Sequence, residues 1–241
     1  MAINAGPKII EDGLVFCVDA ANPRSYPETG SDWYDLSSNN YDGTLINGPT
    51  FDSANAGSIL FDGTNDRADF PSGIMDTGTI TVCWWQKGWS STRRLGILEL
   101  GTTTDEVWMG GGIYLNENTN GGEIQFRCFN SGNTNYAQRI GVSSQTTFNN
   151  YADTWKYCVV NWDGTTNAGN MKIYIDGAFD NQNNGGTLPN KNWLGTWVIA
   201  DGVQSNMSAF PGNIASLSIY NRVLSAEEIK QNYNATRWRF Q

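Results

Sequence analysis

Residues 212–236 read GNIASLSIYNRVLSAEEIKQNYNAT, a strand that runs into one short, capped helix. Across 214–220, Ala215, Leu217 and Ile219 alternate with Ser216, Ser218 and Tyr220. Successive side chains of a strand point to opposite faces, so this period of two predicts one oily face and one polar face. Ser225 then stands at the N-cap position with Glu228 three residues on, where each side chain can satisfy the other's free backbone N–H. Leu224 can close over Ile229 as a hydrophobic staple, so the start of the helix is specified twice.

Working back from this segment, period-two runs recur at 14–19, 59–62, 80–86, 113–115, 124–129, 155–162 and 171–176. In 80–86, Ile80, Val82 and Trp84 share one face while Thr81, Cys83 and Trp85 share the other. Apolar bulk on both faces predicts a central strand. Asp-Gly pairs at 12–13, 42–43, 62–63, 163–164, 176–177 and 201–202 mark turns, because both residues tolerate positive φ. The pair at 176–177, between MKIYI and AF, predicts a hairpin. Residues 131–151 and 181–192 are rich in Asn, Gly, Thr and Gln and read as loops at an end or rim, where a partner could be touched. Short strands punctuated by turns, with one terminal helix, predict an all-β fold: a two-sheet antiparallel sandwich spanning 1–241 as a single domain.

Ten Trp, ten Tyr and ten Phe can fill the space between two sheets, and 27 Gly supply turns. The formal charge of −9 repels nucleic acid and anionic lipid at long range, so neither nucleic acid nor membrane is expected as a partner. No apolar run approaches the about eighteen residues of a membrane helix, and MAINAGPKII lacks the pattern of a signal peptide. Cys17, Cys83, Cys128 and Cys158 lie in strand-like runs without close spacing, which predicts buried, reduced thiols.

The closing strand with its YNR and LSAEEI elements resembles the end of concanavalin A-like jelly rolls of the laminin G-like type, especially those of bacteriophage structural proteins. GLVFCVDAANPRSYP, WYDLSSNNYDGTLINGPTFD and SILFDGTND are similar to the family's opening, and KYCVVNWDG with MKIYIDG to its middle. The resemblance covers residues 6–236 and implies a jelly-roll sandwich with one short C-terminal α-helix. Its motifs are structural, and a fold hosts many activities.

The absence of histidine excludes a Ser-His-Asp triad, a His-assisted cysteine nucleophile and the commonest zinc ligand. Glucanases of this superfamily place two acids on one strand in an E-x-D-x-x-E-like pattern. Here Glu99, Asp105 and Glu106 are spaced too widely for that pattern, and Glu117 and Glu123 flank NTNGG, so no strand displays the paired carboxylates of glycoside hydrolysis. No catalytic residue and no cofactor is assigned, and the protein is read as a non-enzyme. Sugar binding needs an aromatic platform and polar readers. Trp89, Trp108, Trp193 and Trp197 could form the platform and Asn116, Asn118 and Asn133 could read hydroxyls, although large aromatics more often complete a core or a subunit contact. For metals, the oxygen-rich loops with Asp35, Asn40, Asp42, Asp62 and Asp66 offer hard ligands for a structural calcium ion, while the commoner role of such side chains is to cap turns. The family's closing strand often carries Asp where this chain has Ala215, which weakens a calcium site there. Asn206 and Asn234 open glycosylation sequons that matter only in a secretory pathway.

The resemblance implies a non-catalytic bacteriophage virion component, a capsid decoration or tail-associated protein assembled in the host's cytoplasm. Its expected partners are other virion proteins or copies of itself. The alternative is an adhesin module for host surface glycan, and a glucanase ranks behind both. The apolar faces of 80–86, with Trp238 and Phe240 alternating with Arg237 and Arg239, predict docking through one face, the tail joining a neighbour.

Overall fold

The alternation read from the sequence is realised in two sheets. The computed structural model describes residues 7–74, 79–88, 94–101, 111–116, 122–129, 139–147, 153–165, 171–183, 196–201 and 207–241. The first strands are β1 (Leu14–Asp19), β2 (Asp32–Trp33), β3 (Gly43–Ile46), β4 (Thr50–Asp52), β5 (Ser58–Asp62) and β6 (Arg67–Phe70). Next come β7 (Ile80–Lys87), β8 (Arg94–Gly101), β9 (Gly111–Asn116), β10 (Glu123–Phe129) and β11 (Arg139–Thr147). The chain continues through β12 (Lys156–Trp162), β13 (Lys172–Ile175), β14 (Ala178–Gln182), β15 (Thr196–Ile199), β16 (Met207–Ala209) and β17 (Pro211–Tyr220) to helix α1 (Ala226–Thr236).

The first sheet runs β14-β13-β12-β7-β17-β5-β4, with β1 also paired to β17. The second runs β11-β10-β9-β8-β15-β6-β3-β2, and β16 joins β8 in the one parallel pairing among the described residues. This is the antiparallel two-sheet jelly roll with a short C-terminal helix that the sequence predicts. β7 lies between β12 and β17, the central place predicted from its two apolar faces. Between the sheets, Phe16, Trp84, Trp162 and Leu217 from one side meet Trp33, Phe70, Phe126 and Trp197 from the other, all at most 2% exposed.

The outer face of the first sheet carries a second apolar cluster of Cys83, Trp85, Tyr157, Val159, Tyr174, Ala215 and Tyr220. Leu224 and Ile229 close over it from the start of α1. Here the two-face reading of 214–220 needs correction. A bulge between Ile214 and Ser216 in the pairing with β7 shifts the alternation, so Ala215 joins the outer cluster while Leu217 and Ile219 remain in the inner one.

Helix α1 begins as predicted: Glu228 N–H donates to Ser225 Oγ (3.2 Å) and Ser225 N–H to Glu228 Oε2 (2.8 Å). Arg222 grips the same carboxylate with its two terminal guanidinium nitrogens, at 2.9 and 2.7 Å, and holds its pKa below the ordinary value. A cap contributes about 1 kcal/mol, whereas burying Leu224 and Ile229 contributes about 2 kcal/mol each. Packing therefore holds the helix down, and the cap decides where it starts. Asn232 pins it further by accepting from Ile10 N–H (2.8 Å) and donating to the Tyr220 hydroxyl (3.1 Å).

The C-terminal tail departs from expectation. Instead of an extended segment free for a neighbour, Arg237–Phe240 forms a 3-10 turn packed on its own sheet. Phe240 stacks on Trp85 (4.2 Å between ring centroids) and packs on Trp155 (4.6 Å). Arg239, 8% exposed, reaches both Asp19 oxygens (2.9 and 3.1 Å) and donates to the carbonyls of Asn55 (3.2 Å) and Gly57 (2.9 Å). The apolar outer face of β7 is thus covered by the chain itself. Trp238 stays 68% exposed.

The 131–151 stretch also differs from its loop reading, because 139–147 form β11, an edge strand bonded on one side to β10. An edge strand needs no apolar face to be held, so polar composition concealed it. Asp180 of β14 accepts from Gln145 N–H (2.6 Å) and Thr146 N–H (3.1 Å), tying the two sheet edges together. At the start of the second expected loop, Asn181 and Gln182 finish β14, and 184–192 lie outside the described residues. Asp176-Gly177 makes the predicted hairpin, with φ of 52° and 78°. Asp42-Gly43 does not make a turn: Gly43 opens β3, where a Cβ would meet the Phe70 ring at 2.2 Å.

Replacing Arg239 with Ala leaves Asp19 and two carbonyls without their donor, and should cost about 2 to 3 kcal/mol of stability. Urea unfolding of the purified chain measures this; an unchanged midpoint would show the tail to be dispensable.

Candidate functional site

Five connections that carry the chain between the sheets meet at one rim: 47–48 after β3, 62–66 after β5, Gly88 after β7, residues 153–155 before β12, and Phe210 before β17. Together with the outer face of the first sheet they enclose an open groove of about 640 Å³. That volume lies within the range of small-ligand sites, about 300–1,000 Å³. A row of cross-strand partners forms its floor, Thr50 beside Leu60, Leu60 beside Asn213, and Asn213 beside Lys87.

Each of these side chains is placed by local geometry. In SILFD, Ile59 and Phe61 point into the core, so Leu60 must point out, and it remains 40% exposed. Asn213 is fixed from below, its amide donating to Asp52 Oδ2 (3.1 Å) and Ser58 Oγ (3.0 Å). Gly88 and Gly212 let β7 and β17 meet closely at the wall: a Cβ on Gly212 would sit 2.3 Å from the Lys87 carbonyl oxygen. The Lys87 ammonium lies 5.6 Å from the centre of the Trp155 ring.

The 62–66 turn supplies two of the groove's carboxylates. Asp62 Oδ1 accepts from Thr64 N–H (2.7 Å) and Asn65 N–H (3.4 Å), and these donors hold its pKa below the usual value. Asp66 Oδ2 accepts from Asp62 N–H (3.0 Å), but burial pushes its pKa up. Asn47 Nδ2 donates to the Asn65 carbonyl (2.7 Å), tying the first connection to this turn. Asp153 stands exposed as the groove's third carboxylate.

The residues singled out as calcium ligands divide into two places. Asp62 and Asp66 form the groove turn, while Asp35, Asn40 and Asp42 lie in the loop between β2 and β3. Asp35 is the hub of that loop, accepting from Cys17 N–H (2.9 Å), Ser37 N–H (2.9 Å), Ser37 Oγ–H (2.6 Å) and Tyr41 N–H (3.0 Å). Asp42 Oδ1 accepts from Asp35 N–H at 2.9 Å. These oxygens are directed at backbone donors, the turn-capping role. Among the described residues no three acidic or thiol side chains gather as a metal cluster.

The aromatic platform is also revised. Trp197 is 2% exposed in the core of β15 and offers no face to a ligand. Trp89, Trp108, Trp193, Asn118, Asn133, Asp105, Glu106 and Glu117 lie outside the described residues. Glu99 stands within β8 opposite Gly112 and Val198, Glu123 opens β10, and Asn116, which ends β9, faces it across the ladder. Cys17, Cys83 and Cys158 are buried free thiols as predicted; burial pushes the first two up to about 12 and the third well above its ordinary value. The Asn234 sequon lies on α1, with its Thr236 hydroxyl bonded to Asn232 O (2.9 Å) and to Trp85 Nε1–H (2.8 Å). Sequence reasoning missed Leu60, Lys87, Asp153 and Asn213. Only Leu60 left a signal, an apolar residue at an outward-facing position.

Residues 62–230 match the laminin G-like family described as the concanavalin A-like lectin/glucanases superfamily, and the chain belongs to that family. Solved structures share its fold. Domain 4 of AbnA, an extracellular arabinanase from Geobacillus stearothermophilus solved with arabinotriose, is 15% identical with a TM-score of 0.63, covering 93% of this chain and 100% of that one. The binding domain of botulinum neurotoxin DC in complex with rat synaptotagmin II is 15% identical with a TM-score of 0.70, covering 94% and 52%. A botulinum neurotoxin type C structure, whose cell entry depends on two ganglioside molecules, is 13% identical with a TM-score of 0.67, covering 93% and 51%. The chain therefore spans about half the length of those toxin domains. No curated protein sequence matches it.

Replacing Asp35 with Ala should cost about 3 kcal/mol, since it strands several buried donors. The loss should be the same in calcium and in chelator; a thermal-shift difference between the two conditions would assign this loop to a metal.

Proposed function

We propose that this chain is a non-catalytic binding module that holds a saccharide in the rim groove. The carrying observation is the groove itself: an open concavity whose lining sets apolar Leu60 beside the Thr50 hydroxyl and among amide and carboxylate groups fixed by hydrogen bonds. A sugar ring presents both C–H faces and hydroxyls, and such a lining suits it. The arabinotriose complex of the arabinanase domain and the ganglioside dependence of the type C toxin support a saccharide as the ligand class. The non-catalytic reading draws on the absence of histidine and on the commitment of Asp62 and Asp66 to backbone N–H groups. In a saccharide panel measured by calorimetry, replacing Leu60 with Ala should weaken the bound sugar about fivefold to tenfold, the loss of about 1 kcal/mol of apolar contact. Full retention of binding would move the site elsewhere.

The setting we infer is a bacteriophage virion, where the module decorates the capsid or tail in company with other virion proteins and copies of itself, and touches host glycan. This reading rests on the likeness of both ends of the chain to phage structural proteins. Among the described residues no helix is long and apolar enough to cross a membrane. Antibody raised against the chain should label intact particles in electron micrographs; label confined to the lysate supernatant would overturn the virion assignment.

A further inference from the structure

We infer that the groove selects saccharides bearing protonated amino groups over neutral ones and rejects acidic ones, an inference that rests on the saccharide-binding reading above. The groove is the site, and the charges around it set the sign of what enters. Among the described residues its lining carries the exposed carboxylates Asp62 and Asp153 and the buried Asp66, against the single ammonium of Lys87. These carboxylates stand on separate connections: Asp62 and Asp66 in the turn after β5, Asp153 before β12. A ring lying on Leu60 therefore shares the groove with carboxylates from two of its connections.

The cation does not offset this evenly. Lys87 directs its ammonium toward the Trp155 ring, 5.6 Å from its centre, where the ring's negative face engages it. Asp62, by contrast, is held in its ionised form by the Thr64 and Asn65 N–H groups. The chain as a whole carries −9, so its long-range field draws cations toward the groove and slows the approach of uronates, sialic acids and phosphates. Like charges brought together at a partly desolvated rim reject a partner more effectively than opposite charges strengthen one. An acidic sugar thus loses on approach and on contact, a neutral sugar gains only from Leu60 and the hydrogen-bonding groups, and an amino sugar gains from both.

The test titrates the full chain, at low salt, with three tetrasaccharides: a glucosamine oligomer, its N-acetylated counterpart, and a galacturonate oligomer. The glucosamine oligomer should bind about tenfold more tightly than the acetylated one, with the galacturonate unbound, and the advantage should shrink as salt is raised. Asp153→Asn, at an exposed position, should weaken the glucosamine oligomer about twofold to fivefold, and by more than it weakens the acetylated one. Equal affinity for the amine and its acetylated form, or a preference for the galacturonate, overturns the inference while leaving saccharide binding intact. Calcium bound with the same sensitivity to Asp153→Asn, and no amine preference, reassigns the acids to a metal and overturns it too. If none of the three oligomers nor any other saccharide of the panel binds, the binding reading itself fails.

Discussion

The fold depends on strand β7 being apolar on both of its faces. One face is met by the opposing sheet, where Val82 and Trp84 join the common core. The other, with Cys83 and Trp85, would stand in water if the chain ended at β17. Helix α1 and the turn that follows remove it from solvent, and much of the C-terminal chemistry serves that cover: the capped start, the Asn232 link to the N-terminal segment, the Trp85 bond to Thr236 and the Arg239 grip on Asp19. A sandwich commonly leaves an outer face wet. Here a tryptophan-bearing face is sealed by the chain's own last residues.

That cover also places the groove. Rows of outer side chains on the first sheet run from Tyr220 and Thr81, through Cys83 and Ser218, to Trp85 and Ser216, and all lie beneath or beside the helix and tail. The next row, Lys87 to Asn213 to Leu60 to Thr50, falls beyond the cover, at the end where the chain changes sheets. Trp155 marks the border, packed against Phe240 on one side and approached by Lys87 on the other. The row is left uncovered by the helix, and the crossing connections wall it in.

How much of this could be read beforehand follows from what each part is made of. Many strands that face the core declared themselves by period, and the capping box declared the helix, since both patterns arise from contacts between neighbours in the chain. Several strands that escaped notice were edge or short ones, such as β11 and β2, whose partners hold them through backbone groups that every residue possesses, while β8 is a long interior strand whose alternation is broken by a bulge between Gly96 and Leu98. The bulge that turns Ala215 outward was equally hidden, because register depends on the strand opposite. The groove was the least legible part. Its members come from residues 47 to 213, and apart from Leu60, Phe61, Pro211 and three glycines each is an ordinary polar side chain until the crossings bring them together.

The place of β17 has a consequence for how the molecule is made. It is the last of the described strands to be synthesised, yet it sits in the interior of the first sheet, between β7 on one edge and both β1 and β5 on the other. Until residue 220 has left the ribosome, the opening strand lacks its mate, and β5 and β7 have no neighbour to join them. Contacts spanning some two hundred residues, such as Cys17 with Ser218, close only after a large loop entropy has been overcome. The nascent chain must therefore wait with unpaired edges showing until this strand emerges, a window of vulnerability to aggregation.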